Sequence, residues 1–319
     1  MRHKMKNAIG WTMVATIFFI AVFIALLSST CAVNKHGFSI SDEDSFVMAI
    51  KHSMENKQVC AYDVIDDFSL HVGALPADAD FYGTLDGHGH TITIVHDADH
   101  DRGAILAKPI FKTIKKDATV KRLNLIIDEV SVGSNTSENV SALATNNEGT
   151  IENCSLNVGD IFIGGNCKNA SALVNFNTNQ ISNIIVTVRA VTYDATMVGW
   201  YSRFGAVASV NYAQVKNVFA DITFSQNGEG PLKQPLFDYE NRNALVGYVF
   251  GAMSNSAEQS NLKMGNIYVF CDFYTSRVVD NEIVTPTEYS AITPSFLGEE
   301  WICWKLERNG EFPALRIDN

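Results

Sequence analysis

Three segments of this chain repeat one phrase in one register: Ser141-Ala-Leu-Ala-Thr-Asn-Asn147, Ser171-Ala-Leu-Val-Asn-Phe-Asn177 and Gly205-Ala-Val-Ala-Ser-Val-Asn211. Each is followed at the same distance by an aliphatic residue, a variable residue and an asparagine: Ile151-Glu-Asn153, Ile181-Ser-Asn183 and Val215-Lys-Asn217. Weaker copies flank the series, with Val120-Lys-Arg122 ahead of it and Met264-Gly-Asn266 behind. The steps from Arg122 onward are therefore 31, 30, 34 and 49 residues. The longest step carries an insertion, which the stretch 228–243, rich in Gly, Pro, Asn and charge, is suited to hold. A period of this size marks an array of stacked units.

Within each unit apolar and polar residues alternate, as in Ile181-Ser-Asn-Ile-Ile-Val-Thr-Val188, and β-branched residues dominate. That is strand periodicity, and helical spacing is not sustained after residue 57. A strand-bearing unit of this length cannot bury its apolar face alone, whereas stacked neighbours can. The chain is expected to be all-β, a parallel β-helix of about six coils. Asn153, Asn183 and Asn217 are expected to form a structural ladder. Asn tolerates left-handed backbone at a turn, and its amide can bond the Asn one coil above and below. Asn147, Asn177 and Asn211 recur six residues earlier in the same register.

A solenoid needs its ends covered. Ser41-Asp-Glu-Asp44 reads as a helix N-cap with an acid three positions on, followed by Phe46, Val47, Ile50 and Met54 on one helical face. This predicts a capping helix within residues 35–57, ahead of the solenoid at 58–319. At the other end, Trp301, Trp304, Phe312, Pro313 and Leu315 supply bulky apolar matter for a C-terminal cap.

Ahead of residue 35 the run Ile9 to Leu27 is nearly all apolar, long enough to cross a bilayer as a helix, and follows Arg2, Lys4 and Lys6. Residues 1–34 read first as a membrane anchor that leaves the rest outside the cell. A cleaved signal and a lipoprotein signal ending at Cys31 remain open alternatives, and each of the three exports the chain. In an oxidising compartment Cys154 and Cys167 are the pair best placed for a disulfide, with buried thiols as the competing reading. The net charge of −11 repels phosphate backbones, so nucleic acid is not an expected partner.

Phe81-Tyr-Gly-Thr-Leu-Asp-Gly-His-Gly-His-Thr-Ile92 resembles the phrase that opens many bacterial GLUG-motif, adhesin-like right-handed parallel β-helix proteins. Asp63-Val-Ile-Asp66 and Pro109-Ile-Phe-Lys-Thr-Ile114 are similar to the segments that flank it in that family. Asn147-Glu-Gly-Thr-Ile-Glu-Asn153 resembles the repeat itself, and Trp301 or Trp304 with Asn309-Gly-Glu-Phe-Pro-Ala-Leu315 resembles the ending. The chain departs from the family where Ala142 and Ala172 replace glycines and where Arg122 stands in place of the first ladder Asn. The resemblance implies a right-handed β-helix at the cell surface and supplies no reaction.

Candidate chemistry is sparse. His71, His88, His90, His96 and His100 lie among aspartates, and His96, Asp97, Asp99, His100 and Asp101 form a candidate divalent-metal group of imidazole and carboxylate. Their spacing fits no EF-hand, and a solvated loop is the competing reading; no cofactor is otherwise expected. Tyr193, Trp200 and Tyr201, with Phe204, fall in a lengthened connection and are candidate ligand-binding aromatics for an extracellular glycan or a partner surface protein. The alternative places Trp200 and Phe204 in the core. A polysaccharide lyase or glycosidase, built on Lys121, Arg122, Asp128 and Glu129, is the rival to a non-catalytic binding role. No repeated or paired Asp falls between residues 120 and 220, so that stretch is not expected to supply the stacked carboxylates that hydrolysis needs, and no catalytic residue is assigned.

Overall fold

The computed structural model describes residues 37–95, 109–131, 139–163, 167–193, 202–226, 244–246, 250–253, 264–271, 282–283, 304–305 and 314–315. The opening region comprises β1 (Phe38–Ile40), helix α1 (Glu43–Asn56), β2 (Ala61–Val64), β3 (Phe68–His71), β4 (Asp80–Phe81), β5 (Thr84–Asp86), β6 (Thr91–Val95), β7 (Phe111–Ile114), β8 (Thr119–Lys121) and β9 (Asn124–Ser131). Three coils of one plan follow. They are β10 (Asn139–Val140), β11 (Ala144–Asn147) and β12 (Thr150–Ile163); β13 (Asn169–Ser171), β14 (Val174–Asn177) and β15 (Ile181–Tyr193); and β16 (Ser202–Gly205), β17 (Ala208–Asn211) and β18 (Val215–Gln226). Strands β19 (Ala244–Val246), β20 (Phe250–Met253), β21 (Met264–Cys271) and β22 (Glu282–Ile283) continue the same sheets, and β23 (Trp304–Lys305) pairs antiparallel with β24 (Ala314–Leu315).

The long sheet runs β1-β2-β5-β8-β12-β15-β18-β21-β22, with β3, β6 and β9 joined beside it. A second sheet runs β20-β17-β14-β11-β7-β4 and a third β10-β13-β16-β19. Every strand pair in these sheets is parallel, so the chain is a parallel β-solenoid. About three coils are complete and alike, fewer than the six expected, because the flanking coils are built from shorter and less regular strands.

Register is held from coil to coil by the inward residues. Val120, Ile151, Ile181 and Val215 form one stack, and Leu125, Leu156, Val186 and Ala220 another, all buried. Each large aliphatic side chain so buried contributes about 1.5–3 kcal/mol, and a one-residue slip would turn every one of them outward. The chain turns the same corner in successive coils at Arg122, Asn153, Asn183 and Asn217, with φ of 51, 55, 56 and 55°. Left-handed backbone explains why Asn holds three of these four positions. At Gly149 a Cβ would lie 2.4 Å from the Ala118 carbonyl oxygen, so only glycine fits between β11 and β12.

Helix α1 starts one residue later than the sequence pattern suggested. Asp42, not Ser41, is the N-cap, and Asp42 and Ser45 bond reciprocally in a capping box. Serine at the third helical position completes the box, so the acid at Asp44 is not needed. The helix buries Phe46, Ala49, Ile50 and Ser53, while Val47 and Met54 pack at its margin. Ser53 Oγ donates to the Tyr82 carbonyl at 2.8 Å and accepts from the Tyr82 amide at 2.7 Å, which fixes the helix to the β4–β5 connection.

Cys154 and Cys167 are buried thiols and form no disulfide, which decides between the pairing and the buried-thiol reading that the sequence left open. Cys154 Sγ faces the Glu152 carbonyl at 3.3 Å and Cys167 Sγ the Asn169 carbonyl at 3.5 Å, so each thiol has a local acceptor within its own strand region. Burial pushes the Cys167 thiol up to about 12, against the backbone hydrogen bond at Asn169. The apolar run at 9–27 and Cys31 lie outside the described residues, and no described helix is long and apolar enough to cross a membrane. Of the expected C-terminal cap, Trp301, Phe312 and Pro313 lie outside as well. Strand β24 lies against β12, in the middle of the stack.

Candidate functional site

The described ionisable residues converge most closely where β2, β5 and β8 stack, because parallel register sets Asp63 beside Asp86 and Asp86 beside Lys121. After β5 the chain leaves through Gly87, where a Cβ would meet the Arg122 carbonyl oxygen at 2.3 Å. The left-handed residues His88 (φ 48°) and Gly89 (φ 85°) then fold the His88 ring back over the carboxylates. The next coil clamps this turn: Gly87 N donates to the Lys121 carbonyl and Gly89 N to the Arg122 carbonyl, at 2.8 and 2.7 Å.

Asp86 is the centre of the group, its side chain only 8% exposed. Arg122 grips it with two prongs, Nε to Oδ1 at 2.9 Å and Nη2 to Oδ2 at 2.7 Å. Lys121 Nζ lies 3.2 Å from Oδ2, and the His88 backbone amide donates to Oδ1 at 3.1 Å. Burial pushes the Asp86 carboxyl up, yet the Arg122 hydrogen bonds, the His88 amide and the Lys121 charge together hold it below the usual carboxylate range. The Arg122 Nη2 also donates to His88 Nδ1 at 3.0 Å, which leaves the ring proton on Nε2 to be donated to Asp63 Oδ1 at 2.9 Å.

The ligand atoms of Asp63, Asp86 and His88 lie within 4.8 Å of one another, the spacing a metal ion would require. Arg122 and Lys121 both pair with Asp86, Asp63 meets the His88 ring, and both imidazole nitrogens are engaged. The group fits a closed ion cluster better than a cation site. Two further histidines meet carboxylates in the same region: His71 Nδ1 lies 2.9 Å from Glu43, and His90 Nδ1 lies 3.1 Å from Asp67.

Acid should weaken the cluster in a defined direction. A carboxyl whose folded pKa is depressed contributes stability that is full above its unfolded value, near 4, and is lost as pH falls through the folded value. Urea midpoints measured from pH 6 down to pH 3 are expected to fall more steeply for the natural chain than for Asp86→Asn. Parallel slopes would show that Asp86 is not held ionised.

The sequence-derived metal candidates His96, Asp97, Asp99, His100 and Asp101 lie outside the described residues, as do Trp200 and Tyr201. Tyr193 closes β15, its backbone in register with Ile163 and Gln226. Phe204 is fully buried in the core, between Ala170 and Val246 in its sheet. Of the lyase-like set, Arg122 and Lys121 turn toward Asp86 of the preceding coil.

The corner asparagines bond in series, Asn183 Nδ2 to Asn153 Oδ1 and Asn217 Nδ2 to Asn183 Oδ1, each at 2.7 Å. A second row is wholly buried: Asn147 Nδ2 donates to Asn177 Oδ1 and Asn177 Nδ2 to Asn211 Oδ1, each at 2.8 Å. Its sequence signal was the asparagine that recurs six residues ahead of each corner. No family model matches the chain, and the searches of curated proteins and of solved structures found no match. The likeness to GLUG-motif proteins therefore stands on the quoted phrases and on the solenoid itself.

Proposed function

We propose that this protein is a cell-surface binding protein of adhesin-like type, a right-handed β-helix that presents a rigid wall and performs no reaction. In this reading α1 caps the first coil, the apolar run at 9–27 holds the chain in the membrane, and the solenoid faces outward. Right-handed crossovers are the rule between parallel strands. The observation that carries the reading is the state of the ionic group. Asp86 is committed to Arg122 and Lys121, and His88 has both nitrogens occupied. General acid–base work needs a group free to exchange its proton with substrate.

The rival reading, a polysaccharide lyase or glycosidase, draws on the same half-exposed Arg122, Lys121 and His88. Incubation of the protein with pectin, alginate and hyaluronan, with and without calcium, is expected to release no product, while arrays of glycans and surface proteins capture it. Product release that disappears in Arg122→Ala would replace the binding role with an enzymatic one.

A further inference from the structure

The outward face of the long sheet carries an uncharged row. Parallel register aligns Ser69 with Thr93, Thr93 with Ile126, Ile126 with Asn157, and Asn157 with Thr187, before Asp221 ends it. The inward neighbours of these residues, Leu70, Ile94, Ile127, Val158 and Val188, are buried, so the row itself points away from the core. Ser69 and Asn157 are exposed, Ile126 is 38% exposed, and Thr93 and Thr187 are half-buried. At the ~4.8 Å spacing of paired strands the row spans roughly 19 Å. Thr91, Asn124 and Ser155 form a second uncharged row beside it.

We infer that this strip is the seat of an extended, neutral, hydroxyl-rich polysaccharide laid along the solenoid axis. The inference rests on the binding role proposed above and names its partner and place. Three features select this class. In a chain of net charge −11 the strip holds no acid, which would repel acidic sugars, and no Lys or Arg, which would draw them or a nucleic acid. Its groups are hydroxyls and an amide repeated at fixed intervals, matching a partner whose own hydroxyls repeat, and Ser69, Thr93, Asn157 and Thr187 have no side-chain hydrogen-bond partner among the described residues. Ile126 offers one apolar contact for a ring face, whereas a protein interface is built on a cluster of buried aromatic or Arg anchors.

The test uses the full chain retained on insoluble cellulose, mannan and xylan, with polygalacturonate and heparin as charged comparators. Retention on at least one neutral polymer is expected, and the double substitution Asn157→Arg with Thr187→Arg should weaken it at least tenfold. Asn157→Ser with Thr187→Ser should change it little, and thermal unfolding should confirm that both variants fold. Undiminished retention of the arginine variant would overturn the strip as the site. Retention on the charged polymers alone, or on no polysaccharide while proteins on the array are bound, would overturn the partner class and leave the binding role standing; only product release would remove that role.

Discussion

Asn177→Ala is expected to lower the stability of the solenoid by about 3–5 kcal/mol, the largest loss at any asparagine of the two rows. Asn177 is fully buried, accepts from Asn147 and donates to Asn211. Alanine leaves the Asn147 amide proton without its Asn177 acceptor and Asn211 Oδ1 with the Ala213 amide alone, in a row that water does not reach, and each bond so lost costs about 1–3 kcal/mol. The corner row offers the contrast. Asn183 is half-buried, so water takes over part of its bonding. Asn183→Gly, which keeps the left-handed turn without strain, should cost about 1–2 kcal/mol. Urea unfolding monitored by circular dichroism compares the two, and equal losses would show that burial does not set the cost.

Arg122→Ala is expected to cost about 2–3 kcal/mol. The Asp86 carboxylate, nearly buried, would lose both prongs of its guanidinium partner and keep the Lys121 ammonium and the His88 amide. Breaking a buried ion pair costs about 3–5 kcal/mol, and the figure here is smaller because Arg122 is 28% exposed and Lys121 remains. Removing the charge at both ends separates this from a corner effect. Arg122→Asn places a ladder residue in the left-handed corner, and adding Asp86→Asn removes the stranded charge, so the double variant should recover most of the loss. A double variant that is merely the sum of its single substitutions would show that the two side chains are not coupled.

The repeats made the solenoid legible, because an asparagine forced into left-handed backbone and aliphatics forced inward both leave a period in the sequence. Asn153, Asn183 and Asn217 could be read directly for that reason. The ion cluster left no such mark. Asp86 and Arg122 are 36 residues apart, and nothing in either neighbourhood says that one coil of stacking brings them together. The same blindness left open whether Cys154 and Cys167 pair, and the fold places each thiol against a nearby carbonyl. The uncharged strip was hidden for a related reason: its members come from five strands, and only register aligns them.

The two asparagine rows point in opposite directions. In the buried row each Oδ1 is held by the backbone amide two residues on, Gly149, Asn179 and Ala213, and the Nδ2 groups of Asn147 and Asn177 donate toward the C-terminal coils. In the corner row Asn217 donates to Asn183 and Asn183 to Asn153, toward the N-terminal coils. Their dipoles oppose, and neither end of the molecule gathers the charge that aligned rows would build up. The buried row is also closed. Its register neighbours beyond either end are Ile114 and Met253, and the last donor, Asn211 Nδ2, turns to the Ala213 carbonyl at 2.9 Å. Amide stacks of this kind propagate fibrils when their ends stay open to the next chain; here the row ends on its own backbone, and templated growth along it has no place to start.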